Sequence, residues 1–303
     1  WRKGDENEIH ITGDIPMSYR LFHRATRNDT WLASKAWPLI RDSANFFASR
    51  AVREASTGNW TWLNQISPDE GAGIRDSAAY TNAIASQTLL FAAETAQKFK
   101  LPATANWTSI GGSIYLPIVS IDNMRIHPEY ANYSVKERPF INQADVALLQ
   151  YPLGLPMDLE IAKNDLLFWE ARSSGPQTAG FYTGDSAYSI AWLRLGNRTA
   201  ADKQFDLAFD HMDMSAFNVW KEKSFGDFGN LNFITGAGGY LQNFVNGYAG
   251  LEYTDSGFQL RPCLPPHGVT DLTLRGVSLA SSRLTISYSQ DRISFQLTSG
   301  QVC

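Results

Sequence analysis

Ser77–Phe99 reads SAAYTNAIASQTLLFAAETAQKF, with Pro102 just beyond it. The stretch predicts one long helix, and the proline is a stop signal. Upstream, Ile11, Ile15, Tyr19 and Phe22 recur at roughly fourfold spacing and predict a first amphipathic helix with that face inward. A second is predicted over about Pro38–Arg53, with Leu39, Ile40, Ala44, Phe47 and Ala51 inward and Pro38 in its first turn. Downstream, residues 101–140 are mixed and loop-rich. Ala144–Leu149 is an apolar run closed by Pro152, and further helices are predicted at 158–170, 182–195, 199–212 and 234–247. From about Leu251 the period changes. Leu274, Val277, Leu279, Leu284, Ile286, Tyr288, Ile293, Phe295 and Leu297 mostly alternate with polar residues, and Ser-Ser and Gln-Asp pairs mark turns. The expected architecture is mainly α: residues 1–250 form a helical portion whose loops build a pocket at one end, and residues 251–303 form a small antiparallel β-sandwich.

Composition narrows the function. The formal charge is −4 and the lysines and arginines are scattered, so no basic stripe offers itself to a phosphate backbone and nucleic acid is not an expected partner. No apolar run approaches the roughly 20 residues of a membrane span. Sequons stand at Asn28, Asn59, Asn106, Asn132 and Asn197, an excess that favours a secreted, lysosomal or vacuolar glycoprotein. Cys263 and Cys303 lie in the strand-rich tail. They are expected either to pair with each other or to leave one for another chain, and their spacing gives no metal signature. Neither metal nor cofactor is expected. The chain begins at Trp1, which suits either a trimmed sequence or proteolytic maturation. Its nine tryptophans, with acidic residues, Tyr, Gly and Asn in the loops, suit a sugar site, where rings stack on pyranose faces and carboxylates fix hydroxyls.

Four ordered motifs go further. Glu8-Ile9-His10-Ile11-Thr12-Gly13-Asp14-Ile15 is followed by Ser67-Pro68-Asp69-Glu70 with Ala79-Tyr80-Thr81-Asn82. Gln143-Ala144-Asp145-Val146 with Tyr151-Pro152-Leu153 comes next, then Asn232–Gln242 (NFITGAGGYLQ). Taken together and in this order, the set resembles glycoside hydrolase family 65. The resemblance implies an (α/α)6 barrel followed by a small β domain. It also implies hydrolysis of an α-linked glucose, with Thr235–Gly239 standing where the family's phosphorylases carry a different phosphate loop. The substrate it implies is glucosylgalactosyl-hydroxylysine on collagen-like chains, with α,α-trehalose as the alternative. A non-catalytic sugar-binding or storage protein on the same barrel is the reading from another class. The resemblance starts partway round the barrel, so the N-terminal portion of the same precursor is the expected partner as a second chain.

Inverting hydrolysis needs a protonated acid at the leaving oxygen and a base that activates water. The resemblance assigns the acid to Glu8, with Glu6 as fallback. Glu170, at the end of a predicted helix before a Gly-Pro loop, is read as the base, and Glu222 is its rival. Asp69, Glu70, Gln143 and Glu222 are the expected substrate-binding residues, with Asp69 and Glu70 either reaching sugar hydroxyls or bracing their loop. His10 tunes Glu8 or is structural. Two departures from the family pattern stand out: Asn142, where relatives carry Lys before the Gln, and Gly71-Ala72-Gly73, where they carry bulkier residues.

Overall fold

Helix α3 (Ala79–Phe99) is enclosed on nearly every side, with buried residues from Ala79 through Ala96 that include polar ones. A helix without an exposed stripe is a central element, and the low amphipathicity of the quoted stretch says the same. The computed structural model describes residues 5–104, 106–173, 184–213, 217–223 and 229–300. Its contacts form two compact units, residues 1–20 with 30–181, and residues 21–29 with 182–303.

In the first unit, α3 is accompanied by the start of α1 (His10–Thr26), by α2 (Trp37–Arg50) and by α4 (Leu159–Ser173). Pro38 lies in the first turn of α2 as expected. Ile40, Ala44 and Phe47 of α2 are buried with Trp62, Leu89 and Trp107 in the main apolar cluster, whereas Leu39 is 45% exposed. The inward face of α1 also differs from the expected one. Ile11, Ile15 and Phe22 are 50%, 41% and 48% exposed, while His10, Gly13 and Pro16 are buried. The reason is close approach: a Cβ on Gly13 would stand 2.6 Å from Ile84 Cγ1, so the absence of a side chain selects which face meets α3. Short antiparallel pairs, Val52–Arg53 with Trp60–Thr61 and Val119–Ile121 with Met124–Ile126, shape the loops between helices. The apolar run before Pro152 is a buried 3-10 turn, Val146–Leu149.

The second unit holds α5 (Asp185–Arg194), α6 (Arg198–Leu207), α7 (Ile234–Gln242) and the strands β1 (Asp271–Leu279), β2 (Ser282–Ser289) and β3 (Ile293–Ser299). The predicted helices at 199–212 and 234–247 both change character near their ends, the first to a 3-10 turn at Ala208–His211 and the second to a π-helix at Asn243–Tyr248. The strands make an antiparallel meander in the order β3-β2-β1, with turns at the Ser-Ser and Gln-Asp positions. Instead of a second broad sheet, a two-stranded hairpin (Glu252–Tyr253 with Phe258–Gln259) shares the cluster of Leu251, Val277 and Ile286 with the meander. Residues 21–29 belong here because Arg24 makes two bonds to Asp255, at 2.9 and 3.0 Å, and Ala280 N donates to Ala25 O. The same unit closes through Tyr248 donating to Asp202 at 2.8 Å and Cys263 N donating to Tyr248 O. Among the described residues Cys263 has no disulfide partner, and Cys303 lies outside them.

Trp62 anchors the first unit. It is fully buried, meets Phe47 edge-on at 5.8 Å and donates from Nε1 to Phe47 O. Trp62→Ala is expected to cost about 3–5 kcal/mol, from the cavity and the orphaned carbonyl together. Urea unfolding monitored by circular dichroism measures it, and a midpoint equal to wild type contradicts this account of the core.

Candidate active site

The segments that carry Glu8, Asp69, Glu70, Gln143 and Glu170 are linked to one another around the turn that precedes α3. Asp69 caps a 3-10 turn at Glu70–Ala72, and its carboxylate accepts from Gly71 N at 3.3 Å. Three segments distant in sequence are tied to this region. Ile66 N donates to Asn7 O and Ile66 O faces His10 Nδ1 at 3.2 Å, which brings the Glu8 segment alongside. Asn142 N donates to Asp69 Oδ2 at 3.3 Å, which brings the Gln143 loop. Ile141 N donates to Arg172 O at 3.0 Å, which brings the end of α4 that carries Glu170. Glu129 O accepts from Ala79 N, so the chain after Met124–Ile126 caps α3 itself.

Within this arrangement the assigned residues fare differently. Glu8 is half-buried, directly before α1, and its carbonyl accepts from Ile11 N. Glu170 is half-buried in the last turn of α4; the Gly-Pro loop beyond it lies outside the described residues. Asp69 is fully buried and bonded to Arg138. Glu70 is exposed, with no side-chain partner among the described residues. Gln143 is half-buried between Asn142 and the buried Asp145. Glu222 belongs to the second unit, where its carboxylate accepts from both Asn230 N and Asn230 Nδ2 at 2.9 Å. His10 is buried with its ring edge-on to Tyr80, 5.9 Å away.

The two departures from the family pattern touch each other. A Cβ on Gly71 would stand 2.6 Å from Asn142 Nδ2 and 3.1 Å from Arg138 Nη2, so the glycine and the asparagine fit as a pair.

Beneath the turn lies a set of ionisable groups that sequence reading left without roles. Arg138 donates from Nη1 to Gly71 O at 2.7 Å, from Nη2 to Asp69, and faces Glu129 with Nε at 3.6 Å. Glu129 and Asp145 are as deeply buried as Asp69. Burial, then the charges of Asp145 and Asp69, push Glu129 well above the usual carboxylate range. Burial also raises Asp69, against the opposing pull of Arg138. Asp145 is raised to about 7, chiefly by burial, with the Asp69 charge adding to it. Tyr80 donates to Asp14 at 2.8 Å; both are raised by burial, and His10 is lowered by burial. His127 and Asp165 form a second buried pair, 2.7 Å from Nδ1 to Oδ2, which with Trp169 Nε1 donating to His127 O fixes the segment leading to Glu129. The motifs containing Asp145, Tyr80 and Asp14 were visible in the sequence. Arg138 was not, because nothing local distinguishes it from a surface arginine. Among the described residues no cluster of His, Cys, Asp and Glu is arranged to hold a metal, and no helix is long and apolar enough to cross a membrane.

Residues 1–138 match the glycosyl hydrolase family 65 central catalytic domain. The protein-glucosylgalactosylhydroxylysine glucosidase of Gallus gallus is 32% identical over 294 residues, covering 96% of this chain and 40% of the chicken protein. A kojibiose hydrolase of Flavobacterium johnsoniae is 30% identical over 283 residues, covering 93% and 40% respectively. Among solved structures, a putative kojibiose phosphorylase from the human microbiome superposes with a TM-score of 0.66 at 12% identity, covering 92% of this chain and 40% of that one. Residues 1–138 thus carry the match to glycosyl hydrolase family 65, and the chain is similar to these relatives along nearly all of its length. It spans about 40% of the length of these relatives.

The buried carboxyls give stability a definite dependence on pH. A carboxyl whose folded pKa is raised contributes stability that is fully present below its unfolded value and is lost as pH rises through the folded one. For Asp145 that window runs from the ordinary 3.8 to about 7. His10, lowered from 6.5, works in the opposite sense, withdrawing stability as pH falls below that value. With Glu129, Asp69 and Asp14 acting together with Asp145, the carboxyls dominate. The thermal midpoint is expected to fall across the Asp145 window and to fall less in Asp145→Asn. Calorimetry at stepped pH checks this; a wild-type midpoint that stays level or climbs tells against it.

Proposed function

We propose that this chain is the catalytic portion of an inverting exo-α-glucosidase. The observation that carries the reading is the convergence of acidic segments from residues 8, 69–70, 143 and 170 around one turn before a buried helix. Glycoside hydrolysis needs two carboxyl groups flanking the scissile bond, and segments meeting at one turn can supply them. The helical neighbour and the β tail support an (α/α)6 barrel with a small β domain. The favoured substrate is the α-linked glucose of glucosylgalactosyl-hydroxylysine, on the strength of the chicken relative's name; trehalose is the alternative. The sequons support a secreted, lysosomal or vacuolar glycoprotein: Asn28, Asn106, Asn132 and Asn197 are exposed and Asn59 is half-buried. The N-terminal portion of the same precursor, as a second chain, is the proposed partner that completes the barrel.

In this reading Glu8 donates the proton to the leaving oxygen and Glu170 activates water from the opposite face, with carboxyl groups separated by roughly 6.5–9.5 Å to admit that water. Gln143 and Glu70 bind hydroxyls. A second reading has one specific observation behind it. Glu70 is an exposed carboxylate with no side-chain partner among the described residues, and it stands on a turn fixed from below. That is how a group reserved for substrate is presented, so Glu70 stands as an alternative acid to Glu8. Glu222, bonded twice to Asn230, remains the alternative base.

Proton NMR of fresh product from the glucosylated hydroxylysine, kojibiose and trehalose is expected to show β-glucose first; initial α-glucose sinks the inverting mechanism. Glu→Gln at positions 8, 70, 170 and 222, each made alone, separates the roles. The true acid and base lose roughly a hundredfold to ten-thousandfold in turnover, the scale of a positioned proton-transfer group. Loss at positions 8 and 170 supports the first reading. Loss at 70 with position 8 unaffected transfers the acid role, and loss at 222 with 170 unaffected transfers the base role.

A further inference from the structure

Arg138 serves two purposes that no other described side chain shares. It bridges the turn, with Nη2 on the Asp69 carboxylate and Nη1 on Gly71 O at 2.7 Å, so that Glu70 lies between its two points of attachment. It is also the cation that meets the buried carboxyls, through Asp69 and through Glu129 at 3.6 Å from Nε. Asp145 completes the group, beside Asp69 and Glu129, with Ser67 close to it. The elements around this group bring Tyr80 and Asp14 from α3 and α1, Tyr130 and Tyr133 from the segment after Glu129, and Arg75, which lies over the Tyr130 ring at 4.9 Å on an exposed stretch.

Charge counting shows the consequence. Three buried carboxylates against one guanidinium leave an excess of negative charge where water cannot screen it, and such a set stays assembled by holding protons. If the protons leave, Glu129 and Asp145 compete with Asp69 for the same guanidinium and repel the carboxylate that caps the turn.

We propose that Arg138 is a positioning residue of the site: it fixes the turn that presents Glu70, and its hold weakens when Asp145 and Glu129 ionise, so that the buried cluster restricts the working turn to acidic conditions. The claim rests on the reading that this turn faces a glucoside. Whether Glu70 donates the proton or binds a hydroxyl, its placement depends on the same two bonds. The atoms of Arg138 do not meet substrate.

The test uses the full-length protein. Arg138→Lys keeps the charge but cannot span two acceptors with a planar fork. It is expected to lower kcat on the preferred glucoside by roughly 10- to 100-fold, with KM changing much less, the scale of a small misplacement of a reacting group. Asp145→Asn removes one ionisation at nearly constant volume, and it is expected to move the alkaline limb of kcat/KM upward by roughly one pH unit, as removing a like charge from a buried site does. A merely structural role for the cluster would not move that limb. Wild-type kcat in Arg138→Lys, or an unmoved limb in a folded Asp145→Asn, overturns the proposal. If the wild-type protein cleaves no α-glucoside, the functional reading fails by itself, and amide exchange still decides the positioning claim. Protection of residues 66–76, corrected for intrinsic rates and followed from about pH 5 to about pH 8, should decline in wild type and persist to higher pH in Asp145→Asn. Protection indifferent to pH overturns it.

Discussion

The enclosure of α3 is the constraint from which the rest follows. From Ala79 to Ser86 every residue of α3 is buried, and several polar side chains there serve as internal ties, because a buried donor or acceptor left alone is costly. Asn82 donates to Thr61 Oγ1 at 2.9 Å and to Tyr115 O at 2.7 Å, and Ser86 donates to Gly111 O. Tyr80 reaches Asp14 on α1, and the first amide, on Ala79, is satisfied by Glu129 O. The loops around the start of α3 are therefore fixed by the helix they surround. The geometry of the proposed site follows from satisfying the core.

The same enclosure sets the chemistry. Asp69, Glu129 and Asp145 are driven inward with α3's entry turn, and one arginine is shared among them. Their burial opposes ionisation, whereas Glu70, one residue from Asp69, stands in water. Two adjacent carboxyls are thus given opposite environments by a single change of direction in the chain.

Much of this was legible in the sequence, and what was missed has physical reasons. Long helices with strong signals, such as Ser77–Phe99, stood out, and so did the change to strand period near Leu251. The face of α1 did not, because apolar spacing favoured Ile11, Ile15 and Phe22, while the deciding contact is a missing side chain at Gly13. The motifs named loops that meet at the entry turn of α3 but not the differences in burial inside them. Asp69 and Glu70 are indistinguishable by type, and only burial separates a brace from an exposed carboxylate. Arg138 owes its part to what it meets across 69 residues of chain, which no local pattern records. Gly71 and Asn142, two separate oddities in the sequence, become one feature once their atoms are seen in contact.

The strand tail has a consequence of another kind. β3 is exposed at all seven of its residues, including Ile293, Phe295 and Leu297, and among the described residues it pairs on one side alone, with β2. A bare strand edge is a template for further strands, and proteins blunt it by twisting it away from flatness. Here irregular pairing at Arg283/Leu284 and Leu284/Ile286 supplies that distortion next to the edge. These two irregularities in the neighbouring strand thus work against flat strand addition at this edge, independently of anything the carboxylates do.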